Sequence, residues 1–131
     1  MAQILVVDDE EDIRTLMRAI LEAGGHTVLT AANGAEALAL VGVDPAAEKP
    51  LPDLIISDVL MPVLDGHAMT ARLIENSRTR QIPLIILTAR GGTRDLFKMS
   101  ANIKAFIEKP FNPKALRDAV AQTLPLGDSP H

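Results

Sequence analysis

Five side chains in this sequence are of the kinds that handle phosphate or a hard metal ion: the adjacent carboxylates of Asp8 and Asp9, the carboxylate of Asp58, the hydroxyl of Thr88 and the ammonium of Lys109. Carboxylates brought close together repel one another and resist joint ionisation unless a cation offsets them, which points to an oxygen-seeking divalent ion. Mg²⁺ suits such a set, because it takes few protein ligands, keeps several waters and bridges carboxylates to a phosphoryl oxygen. Taken singly, each residue has an ordinary explanation. The acidic run from Asp8 to Asp12 would complement a helix N-terminus, Thr88 would serve as a helix cap, and a Lys before a loop proline, as in Lys109 and Pro110, is common on surfaces. The chemical reading therefore depends on whether the fold gathers residues spread from position 8 to position 109.

The elements that would gather them are legible in the hydrophobic pattern. Ile4, Leu5, Val6 and Val7 form a short, β-branched-rich apolar run of the kind found in strands buried on both faces of a parallel sheet. Ile13, Leu16, Met17, Ile20 and Leu21 then recur at helical spacing, with Glu10, Glu11 and Asp12 in the first turn and Gly24 and Gly25 as the stop. A second strand is predicted over residues 27–31, followed by Asn33 as an N-cap and a short helix carrying Leu38 and Val41. Three prolines, Pro45, Pro50 and Pro52, make residues 42–52 a loop within one domain. Leu54, Ile55 and Ile56 are the third strand, Met69, Leu73 and Ile74 the inward side of a third helix, and residues 84–87 the fourth strand. A further helix is expected within residues 93–101. Ala105, Phe106 and Ile107 make the fifth strand, and Asn112 and Pro113 open a last helix that faces inward with Leu116, Val120 and Leu124. Strands alternating with helices in this way predict an α/β fold, a doubly wound parallel sheet with right-handed crossovers. Such sheets bind ligands beyond the carboxyl ends of their strands, where Asp8, Asp9, Asp58, Thr88 and Lys109 would all lie.

The run Ile4, Leu5, Val6, Val7, Asp8, Asp9, Glu10, then Asp58 with Met61, Pro62, Asp65 and Gly66, then Leu87, Thr88, Ala89, and finally Lys109, Pro110, Phe111, resembles the motifs of the response-regulator receiver family in family order. The resemblance covers about residues 3–124 and brings with it a flavodoxin-like, CheY-like (βα)5 fold with sheet order 2-1-3-4-5, residues 1–124 being the receiver domain and 125–131 a C-terminal tail. It implies transfer of a phosphoryl group to Asp58 from a sensor histidine kinase, a phosphotransfer protein or a small phosphodonor. Mg²⁺ would be held by Asp9, Asp58 and the backbone carbonyl of Leu60, with Asp8 assisting through water. Lys109, the Thr88 hydroxyl and the Ala89 backbone N–H would bind the phosphoryl oxygens, a matter of positioning and electrostatics. Thr88 and Phe106 would form the switch: Thr88 moves toward the phosphoryl group, Phe106 turns inward, and the face made by the helix within 93–101, the fifth strand and the last helix repacks for a downstream protein or output domain, or for a phosphorylation-dependent homodimer.

Some positions depart from the family pattern. Phe106 replaces the commoner Tyr, Asn102 stands where a Gly often precedes the fifth strand, and Leu60 and Arg90 occupy the positions tied to phosphoaspartate hydrolysis. Leu60 cannot hydrogen-bond an attacking water, so slow self-dephosphorylation is expected.

Composition narrows the alternatives. In 131 residues there are 13 Lys and Arg against 17 Asp and Glu, a net charge of −4 that provides no general attraction to nucleic acid or anionic lipid. Only Phe97, Phe106 and Phe111 are aromatic, too few for a base-stacking platform. With no cysteine, disulfides and thiolate metal sites are excluded, and the cytoplasm is the expected compartment. The opening apolar run is too short for a signal peptide or a membrane span. No G-x-x-x-x-G-K-[ST] loop exists for a nucleotide, and the acidic run after the first strand would repel the phosphate of a flavin. His26, His67 and His131 lack close metal-ligand spacing. The expected role is that of a phosphoacceptor signalling domain and not an enzyme, the alternative being a receiver-like interaction module that works without phosphorylation.

Overall fold

The structure is a computed structural model that describes residues 2–43, 49–58, 66–88, 103–109 and 111–124. Its elements are β1 (Gln3–Val7), α1 (Glu11–Ala23), β2 (Thr27–Ala31), α2 (Gly34–Leu40), β3 (Leu54–Asp58), α3 (Gly66–Glu75), β4 (Leu84–Thr88), β5 (Ile103–Glu108) and α4 (Pro113–Thr123). All five strands pair in parallel, in the order β2-β1-β3-β4-β5. The helix expected within 93–101 and the tail at 125–131 lie outside the described residues.

Strand alternation explains why the sheet needs cover on both sides. Ile4 and Val6 of β1 project to one face, where they pack with Ile56, Ile85, Met17 and Leu21 of α1, and Leu116 and Val120 of α4. Leu5 and Val7 project to the other, where Ile55, Ala37 and Leu38 of α2, and Met69 and Leu73 of α3 complete a second core. Near-continuous apolar strands are the signature of this two-sided burial. Truncating a fully buried Leu such as Leu5 to Ala would cost about 2–5 kcal/mol.

The ends of the first two helices show why the chain turns where it does. At α1 the N–H of Gly25 bonds the carbonyl of Glu22 and the N–H of His26 that of Leu21, with Gly25 at φ 92°. Gly42, at φ 78°, repeats the arrangement after α2, where Val43 N–H reaches the Leu38 carbonyl. At its start α2 is capped by Asn33, whose side chain accepts from the N–H of Glu36, and α4 by Asn112, which accepts from Ala115 with Pro113 behind it.

Three expectations require correction. Leu16, assigned to the inward stripe of α1, is 44% exposed. The buried stripe runs through Met17, Ile20 and Leu21 with Ile13 beside it, and Leu16 lies just off its edge. Ile74 of α3 is only half-buried, its neighbour Leu73 taking the core position. Glu10 is the N-cap of α1 and makes no side-chain cap bond, so the acids within the first turn are Glu11 and Asp12. Strands β3 and β5 also run longer than the apolar triplets suggest, which makes Asp58 the last residue of β3, as Thr88 is of β4.

Candidate functional site

The sheet order places the carboxyl ends of β1, β3, β4 and β5 side by side, and the site is built there. Asp8 follows β1 directly and its side chain is fully buried. Every polar group it carries is engaged. Its N–H donates to the carbonyl of Ala31 at 3.1 Å and its carbonyl accepts from Arg14 Nη1 at 2.8 Å. Its Oδ1 accepts from the N–H of Glu10 at 2.9 Å and its Oδ2 from Lys109 Nζ at 3.0 Å. Lys109 Nζ also donates to Asp58 Oδ2 at 2.9 Å, so one ammonium joins the ends of β1, β3 and β5. Glu10 Oε1 stands 3.8 Å from the same nitrogen. The backbone N–H of Lys109 donates to the carbonyl of Thr88 at 2.7 Å, which ties in the end of β4.

These contacts bias protonation. Burial raises the pKa of Asp8 above the usual carboxylate value, and the charge of Asp58 adds to the rise; the hydrogen bonds from Glu10 and Lys109 oppose it. Burial acts to lower Lys109, but its hydrogen bonds and attraction to Asp58 and Asp8 prevail and hold it above the usual lysine value. The ammonium is therefore charged at neutral pH.

Carboxylate oxygens of Asp8, Asp9 and Glu10 all lie within 4.8 Å of one another, with Asp9 and Glu10 exposed. This all-oxygen, anionic donor set beside the carboxylate of Asp58 fits Mg²⁺ by its chemistry. Thr88 supplies a second indication. It is 1% exposed, and among the described residues its Oγ1 is the buried side-chain polar atom without a hydrogen-bond partner. Such a hydroxyl costs about 1–3 kcal/mol, which an arriving acceptor would offset.

Of the residues singled out from sequence, Asp8, Asp9, Asp58, Thr88 and Lys109 thus meet at neighbouring strand ends. Phe106 is half-buried on β5 and packs against Ile86 of β4. Leu60 and Ala89 lie outside the described residues. Two participants went unassigned in the sequence reading: Glu10, treated only as a helix-start acid, and Arg14, whose contact is with a backbone carbonyl and leaves no side-chain motif to read.

The family model of the response regulator receiver domain matches residues 4–121. The response regulator Rre1 of Synechocystis sp. is 37% identical over 123 residues, covering 92% of this chain and 51% of Rre1. The alkaline phosphatase synthesis transcriptional regulatory protein PhoP of Bacillus subtilis is likewise 37% identical over 123 residues, 93% of this chain and 48% of its own. The chain thus spans about half the length of these curated relatives. Among solved structures, the chemotaxis response regulator CheY4 of Vibrio cholerae superposes with a TM-score of 0.84 at 33% identity, covering 95% of this chain and 99% of that one. Sheet order, strand-end acids and sequence match coincide over the same stretch, and the chain belongs to the response-regulator receiver family of two-component signalling.

Proposed function

We propose that Asp58 is the phosphoacceptor of this receiver domain and that the phosphorylated form presents a changed surface to a downstream partner. The observation that carries the reading is the ammonium of Lys109 held 2.9 Å from Asp58 and 3.0 Å from Asp8, with the hydroxyl of Thr88, which has no partner among the described residues, at the next strand end. Asp58 attacks phosphorus through a carboxylate oxygen, the bond from phosphorus to the donor's imidazole nitrogen or other leaving atom breaks, and an acyl phosphate remains on Asp58. Lys109 and Thr88 then offer their N–H and O–H to phosphoryl oxygens, joined by the N–H of Ala89. Asp8, Asp9, Asp58 and the carbonyl of Leu60 would hold Mg²⁺, whose charge offsets that of the phosphoryl oxygens when it is bound.

The phosphoryl group adds about two negative charges, and movement of Thr88 toward it leaves room for Phe106 to turn inward. On this reading residues 1–124 form the receiver unit, with 125–131 as a tail. It works in the cytoplasm between a histidine kinase or phosphotransfer protein and an output protein, domain or second copy of itself. Leu60 makes the acyl phosphate slow to hydrolyse.

The test is intact-mass measurement after incubation with a small phosphodonor and Mg²⁺. A single labile phosphoryl adduct is expected for the natural chain and is absent for Asp58→Asn or with a chelator. A folded natural chain that takes no adduct would instead point to a module that works without phosphorylation.

A further inference from the structure

Arg14 stands on the first turn of α1, its N–H bonded to the carbonyl of Glu10 at 3.1 Å, and its guanidinium returns to the carbonyl of Asp8 at 2.8 Å. That carbonyl lies past the last residue of β1, beyond the paired register of β1 with β2 and β3. It belongs to the peptide group joining Asp8 to Asp9, the two carboxylates expected at the metal. On the other side of Asp8, the N–H is fixed to Ala31 of β2 at 3.1 Å. The backbone around Asp8 is therefore held by β2 on the peptide before it and by α1 on the peptide that joins it to Asp9. Turning the Asp8–Asp9 peptide would break the Arg14 bond and swing Asp9, an exposed residue, away from Asp8 and Glu10.

We propose that Arg14 is a positioning residue of the phosphoacceptor site: by holding the Asp8–Asp9 peptide it fixes the spacing of the carboxylates that bind the divalent ion. This rests on the reading of the site given above. Two effects of the guanidinium oppose each other, since its charge repels an arriving cation while its hydrogen bond organises the ligands. Partners that orient a metal ligand are typically worth 10–100-fold in metal affinity, whereas a partly exposed like charge weakens binding much less. Organisation prevails, so removing Arg14 weakens metal binding even though it removes a positive charge.

The test is titration of Mg²⁺ by calorimetry into the natural chain, Arg14→Ala and Arg14→Lys, with melting temperature and circular dichroism recorded for each. Arg14→Ala is expected to bind Mg²⁺ about tenfold more weakly. Arg14→Lys, which keeps a cation able to donate one bond to the carbonyl, should recover most of that loss. In phosphorylation by a small phosphodonor, Arg14→Ala should shift the half-saturating Mg²⁺ concentration upward by the same factor and reach the natural rate at saturating metal. An Arg14→Ala chain that is folded and binds Mg²⁺ as tightly as the natural one, or more tightly, would overturn the proposal, as would a lower melting temperature with unchanged affinity. A natural chain with no Mg²⁺ binding at all would instead overturn the metal-site reading itself. If Arg14→Ala does not fold, Arg14→Met, which keeps the apolar stem but has no donor, takes its place: about a tenfold loss of Mg²⁺ affinity that Arg14→Lys does not share supports the positioning role, and unchanged affinity in Arg14→Met refutes it.

Discussion

At the scale of the residue, the site is a set of groups under electrostatic tension. Asp8 is fully buried and Asp58 partly so, and the Lys109 ammonium, itself 21% exposed, serves both. Thr88 is the complementary case, a buried hydroxyl with nothing to bond in the described structure. Replacing it with the isosteric Thr88→Val should stabilise the unphosphorylated chain by about 1 kcal/mol, because a buried polar group without a partner among the described residues is exchanged for a methyl. Urea unfolding without phosphodonor measures this; a loss of stability would show that Thr88 already has a partner. The residue types in the site were readable from sequence because acids, hydroxyl and ammonium each fell just after an apolar run. Arg14 was not, since its partner is a carbonyl whose need for a donor arises only once β1 ends and α1 folds back over it. Glu10 was quoted for its place in a motif but read as a helix-start acid, and its approach to Lys109 depends on the geometry of the β1–α1 turn.

At the scale of the element, the turn from α1 to β2 carries a pH-dependent contact. His26 Nδ1 accepts the N–H of Ala2 at 3.3 Å, so the imidazole is neutral in this arrangement. Burial, followed by the charge of the chain's amino terminus, lowers its pKa below the usual 6.5. The unfolded chain therefore takes up a proton at pH values where the folded chain does not. The stability contribution is fully present above 6.5 and is lost as the pH falls through the depressed value. His26→Asn, which keeps an acceptor but does not titrate, should show a shallower fall in urea midpoint between about pH 7.5 and 5.5; parallel curves for the two chains would remove His26 from the account. The strands and the Asn caps were legible because alternation and capping are local chemistry. Leu16 was misplaced because periodicity gives the centre of a helical stripe better than its width, and α1 faces a single side of the sheet. The bounds of β3 and β5 were underestimated because their last residues are polar, and only pairing with β4 reveals them as strand.

At the scale of the whole molecule, helices cover a core on each face of the sheet, and the acids are gathered by the order of the strands. The alternation of strands and helices predicted a parallel α/β sheet; the order β2-β1-β3-β4-β5 came with the family resemblance and is the order found. Binding of Mg²⁺ at the strand ends should stabilise the entire fold by linkage, by about 1.4 kcal/mol at ten times the dissociation constant. Asp58→Asn should show a smaller gain. Denaturant unfolding across a series of Mg²⁺ concentrations checks this, and a midpoint indifferent to the metal in the natural chain would count against the site. One hydrogen bond then takes on a larger meaning. The amide of Lys109 hangs from the carbonyl of Thr88 at 2.7 Å, so the ammonium and the hydroxyl that would grip a phosphoryl group ride on a shared rung between β4 and the sheet's outermost strand. On the proposed reading, a displacement of either strand end would be passed to the other through this rung, so a group drawn toward Asp58 would act on the β4–β5 edge through the backbone.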